Sequence, residues 1–224
     1  MTAVSEHTFL ATQSSGDVSA ILTRPDDAKG LYVFAHGAGA GMRHRFMESV
    51  TERLAARRLA TFRYQFPYME AGRKGPNPAP VLVKTVRSAV VEAARLAPDL
   101  PRAAGGKSMG GRMTSIASSK ETLPGVKGLA FFGFPLHAPG RESPERGAHL
   151  ADVGLPMLFL QGTRDKLADL SLLEPLLASV APRPTLTVVE GADHSFHVLK
   201  RSGRTDDDVL DEICRVFADW FSAL

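Results

Sequence analysis

The sequence predicts an α/β fold in which a mostly parallel central sheet is covered by helices on both faces. Short apolar runs rich in β-formers, such as Leu31–Ala35 and Met157–Leu160, alternate along the chain with segments whose apolar residues recur every three to four positions. The strand runs are apolar almost throughout, which marks strands buried on both sides. The length, 224 residues, suits one domain over 1–224 and leaves no room for a large lid domain.

The elements follow in order. An extended pair is expected at His7–Ala11 and Val18–Arg24, turned at Gly16-Asp17. Leu31–Ala35 is a strand that runs into the small-residue loop His36-Gly-Ala-Gly-Ala-Gly41, where backbone must approach something closely. Phe46, Val50 and Leu54 place a helix over Arg45–Arg57, and Leu59–Tyr64 is the next strand. Phe66–Pro80 is punctuated by prolines and glycines and is expected to be a functional loop. The stripe Leu82, Val86, Val90, Ala93, Ala97 gives a helix stopped by Pro98. Ala103–Lys107 is a short strand leading through Ser108 into a helix over Gly110–Ser119. Val126–Phe134, Leu155–Gln161 and Thr185–Glu190 are expected as three more buried strands, with a helix at Ser171–Val180 between the last two. Thr205 caps a final helix whose first turn holds Asp206, Asp207 and Asp208, and whose core face is Val209, Ile213, Val216, Phe217, Trp220 and Phe221. Cys214 is expected beside that stripe as a small structural residue.

Composition removes several classes of function. Hydrophobic residues are 44% and charged residues 23%, a globular mixture too apolar for a disordered chain. Net charge is +3, from 27 basic and 24 acidic residues that are interleaved, so no nucleic-acid-binding stripe is expected. A single cysteine can form neither an internal disulfide nor a thiolate metal site, which fits a reducing compartment. No signal-peptide pattern opens the chain and no apolar run is long enough to span a membrane, so a cytoplasmic protein is expected. Neither glycine cluster continues as a P-loop or dinucleotide fingerprint.

The sharpest chemical signal is Gly106-Lys107-Ser108-Met109-Gly110, a G-x-S-x-G elbow between a strand and a helix. Its glycines fit a turn with no space for side chains against the neighbouring strands. A serine hydroxyl needs an adjacent base, itself held by a third group. In this architecture both are expected after the serine, at the carboxyl ends of later strands. Asp165, in Gln161-Gly-Thr-Arg-Asp165, and His194, in Gly191-Ala-Asp-His194, stand there. His197 is a rival for the base, and Asp169 or Asp152 for the acid; Asp193 is adjacent to His194 and points away from it. His7, His44, His137 and His149 read as surface or structural histidines. His194 and His197 lack a third ligand, so no metal site is expected. Two backbone donors are needed for an oxyanion. Met109 supplies one at the helix start, and Ala38 the other, with Gly39 the near alternative.

These motifs resemble an α/β-hydrolase. More narrowly, the chain is similar to a small family related to dienelactone hydrolases that includes testis-expressed and NSL-complex-subunit hydrolase-like proteins. The likeness rests on His36-Gly-Ala-Gly39, Phe66-Pro-Tyr-Met-Glu70 with Gly72-Arg73, Gly105-Gly-Lys-Ser-Met-Gly-Gly-Arg112, Phe134-Pro-Leu-His137, Gln161–Asp165 and Gly191–Phe196. It implies a serine-hydrolase scaffold with Ser108, Asp165 and His194 as triad. True dienelactone hydrolases carry cysteine at the nucleophile, whereas this chain carries serine.

The function expected is cleavage of a small-molecule acyl substrate, an ester or thioester, with no cofactor; a non-catalytic binding or scaffold module on the same fold is the alternative. Pocket residues are expected at His36, Gly37, Gly39, Phe66, Tyr68, Arg73 and Arg112, with Phe66–Pro80 and Pro135–Gly154 as walls. Arg63, Arg73, Lys74, Lys107 and Arg112 would suit an anionic substrate, although the direction of Lys107 on its strand is open.

Overall fold

The computed structural model describes all 224 residues. The chain runs β1 (Thr2–Thr12), β2 (Gly16–Pro25), β3 (Gly30–Ala35), α1 (Arg45–Ala55), β4 (Leu59–Tyr64), α2 (Pro67–Glu70), α3 (Ala79–Leu96), β5 (Arg102–Lys107) and α4 (Met109–Lys120). It continues with β6 (Val126–Phe132), β7 (Met157–Gly162), α5 (Leu170–Ala178), β8 (Thr185–Val189) and α6 (Asp206–Ser222). Two 3-10 segments, Glu145–Asp152 and Lys200–Ser202, lie in connections. The strands form one eight-stranded sheet in the order β1-β2-β4-β3-β5-β6-β7-β8. β1 and β2 are antiparallel additions at one edge, and β4 through β8 are parallel.

Alternation along each strand sends side chains to two cores. On β3, Leu31, Val33 and Ala35 join the core under α3, α4 and α5, while Tyr32 and Phe34 join the one under α1 and α6. Phe131 and Phe132 on β6, and Phe159 and Leu160 on β7, divide in the same way. The α6 terminus forms as its sequence dictates: Thr205 and Asp208 exchange side-chain-to-backbone hydrogen bonds in a capping box. Cys214 is fully buried within the α6 face rather than beside it, and burial raises its thiol pKa to about 12, so it behaves as a small apolar residue. No helix is long and apolar enough to cross a membrane.

Several expectations require correction. β8 is an edge strand in which only Val189 is buried; Leu186 packs partly on the other core and Val188 is exposed. Val216 and Trp220 are half-buried at the rim of the α6 core. The stretch 66–80 is not all loop, because Pro67 starts a one-turn helix with its preset φ. The Pro135–Gly154 connection likewise carries the 3-10 segment packed on α4.

Phe217 is fully buried with its ring centroid 4.6 Å from Tyr32 and 6.0 Å from Phe132. Phe217→Ala leaves an aromatic-sized hole between α6 and the sheet. Urea unfolding is expected to show a loss of about 3–5 kcal/mol; a loss below about 1 kcal/mol would mean that this layer does not support the fold.

Candidate active site

Ser108 follows β5 directly and caps α4 with φ 51° and ψ −120°. A residue with a side chain at such positive φ carries backbone strain of order 1–3 kcal/mol, held by its surroundings. The flanking glycines explain how. A Cβ on Gly106 would lie 2.5 Å from the Ala35 carbonyl oxygen, and one on Gly110 would lie 2.5 Å from that of His36. The turn is therefore pressed against the end of β3, and only glycine fits on either side of the serine. The Ser108 N–H donates to the Phe132 carbonyl at 3.1 Å, and its own carbonyl accepts from the Arg112 N–H at 3.1 Å.

Three loops at the carboxyl end of the sheet meet at this serine. Ser108 Oγ is 2.8 Å from His194 Nε2, and His194 Nδ1 is 2.7 Å from Asp165 Oδ2. A carboxylate only accepts, so Nδ1 carries the proton and Nε2 is left to accept from the serine hydroxyl. The Asp165 side chain is fully buried, and a buried charge must be well partnered. Its Oδ1 accepts from the Leu167 N–H at 2.8 Å, and its Oδ2 also accepts from Gln161 Nε2. Gln161 Oε1 in turn accepts from the Phe134 N–H at 2.9 Å. Gln161 thus ties the acid to the end of β6, a role its position in the Gln-Gly-Thr-Arg-Asp run did not disclose.

The rivals fall elsewhere. His197 is exposed and pairs with Asp206 at 2.9 Å, which raises its pKa. Asp169 caps α5 through the Ser171 N–H and lends its own N–H to buried His137 Nε2 at 2.8 Å. Asp152 is exposed at the end of its 3-10 segment. Asp193 Oδ1 accepts from the N–H groups of Ser195 and His197 and so shapes the histidine loop. His149 meets Ser115 Oγ at 2.7 Å, and His7, half-buried on β1, meets Ser5 Oγ at 2.7 Å. No three His, Cys, Asp or Glu side chains gather to hold a metal.

The His36–Gly41 loop is held from behind. His36 is fully buried, with its Nδ1 donating to the Gly37 carbonyl at 2.8 Å and its Nε2 accepting from the Phe66 N–H at 3.0 Å. Tyr68 Oη faces the Gly39 N–H at 3.4 Å. Met42 is gripped on both sides, its N–H by Gln65 and its carbonyl by Arg63. The Ala38 N–H makes no hydrogen bond within the chain, and Met109 opens α4, whose first N–H groups lack intrahelical partners. Of the two expected donors, the Ala38 N–H is thus unpaired while the Gly39 N–H faces a hydroxyl.

A cavity of about 420 Å³ opens over Ser108, lined by Gly37, Ala38, Ala40, His44, Phe46, Met47, Lys107, Leu167, His194 and Ser195. Of the expected pocket residues only Gly37 stands on this wall. His36, Phe66 and Tyr68 are buried, because α2 turns the two aromatic rings into the core and against the imidazole, with ring centroids 4.9 and 6.0 Å from it. Gly39 lies off the wall, Arg73 is exposed, and Arg112 is half-buried with its Nε unpaired. Arg63 is buried under α1, and Lys74 is exposed. Neither 66–80 nor 135–154 contributes a wall; α1 and the segment before it do. Among the five expected cations only Lys107 lines the cavity.

The fold and this elbow define the class: an α/β-hydrolase domain, with a serine at the elbow. The chain belongs to the α/β-hydrolase domain family, whose model matches residues 28–222. It shares its fold with a dienelactone hydrolase from Anabaena variabilis, at 20% identity and a TM-score of 0.74 over 98% of both chains. It is also similar to an α-β serine hydrolase homologue from Coxiella burnetii, at 16% identity and a TM-score of 0.74 over 95% of this chain and 96% of that one. Among curated proteins, it is 27% identical over 208 residues to a Mycobacterium tuberculosis protein provisionally named a phosphoribosyl transferase. That match covers 91% of this chain but 43% of the relative, so the chain spans less than half the length of the curated relatives it matches.

Burial pushes the His36 pKa down from 6.5 to about 4, against the hydrogen bond to Gly37. Below pH 6.5 the unfolded chain therefore takes up a proton that the folded protein refuses until about pH 4. Stability is expected to decline over that interval, by roughly 3 kcal/mol from this group when complete. Urea titrations at pH 7 and 4.5 on wild type and His36→Gln test it. The variant is expected to lose less stability on acidification, and equal losses would refute the assignment.

Proposed function

We propose that the protein is a serine hydrolase that cleaves a small ester or thioester through an acyl-enzyme. The observation that carries this reading is the unbroken relay from Ser108 Oγ through the imidazole of His194 to the buried carboxylate of Asp165. Ser108 Oγ attacks the acyl carbonyl while Nε2 of His194 takes its proton. Asp165 holds the tautomer and steadies the imidazolium that forms. Oxyanion charge falls on the N–H groups of Met109 and Ala38. The imidazolium then protonates the departing alcohol or thiol. A water activated by the same nitrogen attacks the acyl-enzyme, releases the acid and restores Ser108.

The cavity supports small substrates. Its volume of about 420 Å³ is at the low end for ligand pockets. Phe46, Met47 and Leu167 offer an apolar surface for an acyl chain.

Ser108→Ala is expected to abolish turnover of p-nitrophenyl acetate and labelling by a fluorophosphonate probe while leaving the melting curve intact. Asp165→Asn, which misorients the imidazole, is expected to lower kcat by about 10³–10⁴-fold. Wild-type protein that neither turns over esters nor takes the probe would favour a binding module instead. Across a p-nitrophenyl ester series, kcat/KM is expected to peak at acetate to butyrate and to fall at octanoate and beyond. A maximum at palmitate would refute the small-acyl reading.

A further inference from the structure

Lys107, the variable residue before the elbow serine, is placed unlike an ordinary surface lysine. It ends β5 with its side chain directed to the α1/α6 face, where Ala103 of the same strand also points. Its ammonium donates to the backbone carbonyl of His194. It also sits 5.5 Å from the ring centroid of Phe46 and 5.2 Å from that of Phe196, and those two rings are stacked 5.9 Å apart. No carboxylate lies within ion-pair distance of it. Gly133, at φ 69° just beyond β6, leaves the space it occupies: a Cβ there would come 2.9 Å from Nζ and 3.4 Å from His194 Cε1. The loop it grips needs an anchor, because Phe196 adopts φ 64°.

We propose that Lys107 is a positioning residue for His194: its ammonium, seated on two phenyl rings and bonded to the His194 carbonyl, holds the imidazole in reach of Ser108, so that turnover depends on the charge at position 107. The inference rests on the serine-hydrolase reading above. A cation on an aromatic face and a charge-assisted hydrogen bond both weaken when the ammonium loses its proton. Burial lowers the Lys107 pKa from 10.5 to about 8, with the carboxylates of Asp165 and Asp193 opposing the shift. The other titratable groups on this wall are the imidazoles of His194 and of His44 at the start of α1. The clamp is thus largely charged at pH 7, half charged near pH 8 and released as pH rises further.

The test measures kcat and KM for p-nitrophenyl acetate from pH 6 to 10 on wild type, Lys107→Met and Lys107→Arg, with Ser108→Ala as the background and fluorophosphonate labelling in parallel. Lys107→Met is expected to lose about tenfold to a hundredfold in kcat with KM nearly unchanged, as misplaced catalytic groups do. Wild-type kcat is expected to fall above about pH 8, whereas Lys107→Arg, which stays charged, keeps most of the activity and lacks that fall. Wild-type kcat and pH profile in Lys107→Met would overturn the inference, as would a loss confined to KM, which would make Lys107 a substrate-binding cation. Should Lys107→Met not fold, the other pair decides: an alkaline fall shared by wild type and Lys107→Arg overturns it. A labelled wild type with either negative result sinks the Lys107 role alone, and an unlabelled wild type sinks the hydrolase reading with it.

Discussion

The backbone at Ser108 is the constraint on which the site depends. In two residues the chain must leave β5, pass beneath the carbonyls that end β3 and start α4. It does so only because Gly106 and Gly110 carry no side chain. The positive φ that results lifts the hydroxyl off the sheet and aims it at the neighbouring loops. The parallel register of β3 on β5, with Ala35 opposite Gly106, brings the loop after β3 alongside the serine. One strained residue thus fixes both where the hydroxyl stands and which amides surround it. The strain persists because two sheet neighbours and a helix determine the path jointly, and no single contact can relax it.

Asp165 and His194 are fixed differently, by a polar network inside the fold. A carboxylate with a fully buried side chain costs stability unless each oxygen is occupied. Gln161, the Leu167 amide and His194 occupy those of Asp165. Because Gln161 also accepts from Phe134, the acid is tied to β6 as well as to its own strand. His137, from the same stretch after β6, holds the Asp169 amide and accepts no part in the relay itself. The bonds that make the carboxylate tolerable in the interior are the ones that orient it. Stability and site geometry are here the same set of contacts.

The three relay residues were legible in the sequence because each is tied to an element boundary. Strand ends show as the point where an apolar run stops, and in a parallel sheet those ends gather at one rim. Pocket walls carry no such mark. Phe66 and Tyr68 stand in a proline-rich stretch that looks like an exposed loop, yet Pro67 starts a turn of helix that rotates both rings inward. Arg63 lies on a strand buried on both faces, so its charge suggested a ligand where the structure uses it to hold the Met42 carbonyl. β8 reads as a buried strand because Leu186, Val188 and Val189 are apolar, but burial of an edge depends on a neighbour that the sequence does not name. The direction of Lys107 was open for a related reason: alternation fixes the face only once the register of the strand is known.

Phe46 connects the two halves of the site. Its ring lines the cavity over Ser108, stacks on Phe196 of the histidine loop at 14° between planes, and lies under the Lys107 ammonium. Whatever packs on this ring in the cavity therefore presses on the same aromatic pair that seats the Lys107 ammonium, itself bonded to the His194 carbonyl. Apolar packing against that pair resists local displacement, since interiors are close-packed and transmit small shifts to their neighbours. A smaller side chain at position 46 would enlarge the cavity and also remove half of the support beneath the cation. Its effects on the cavity and on the seat of the ammonium would be coupled, because the two surfaces belong to one ring. The site is thus built as a single packed unit from α1 to the histidine loop, with the strained serine as its fixed point.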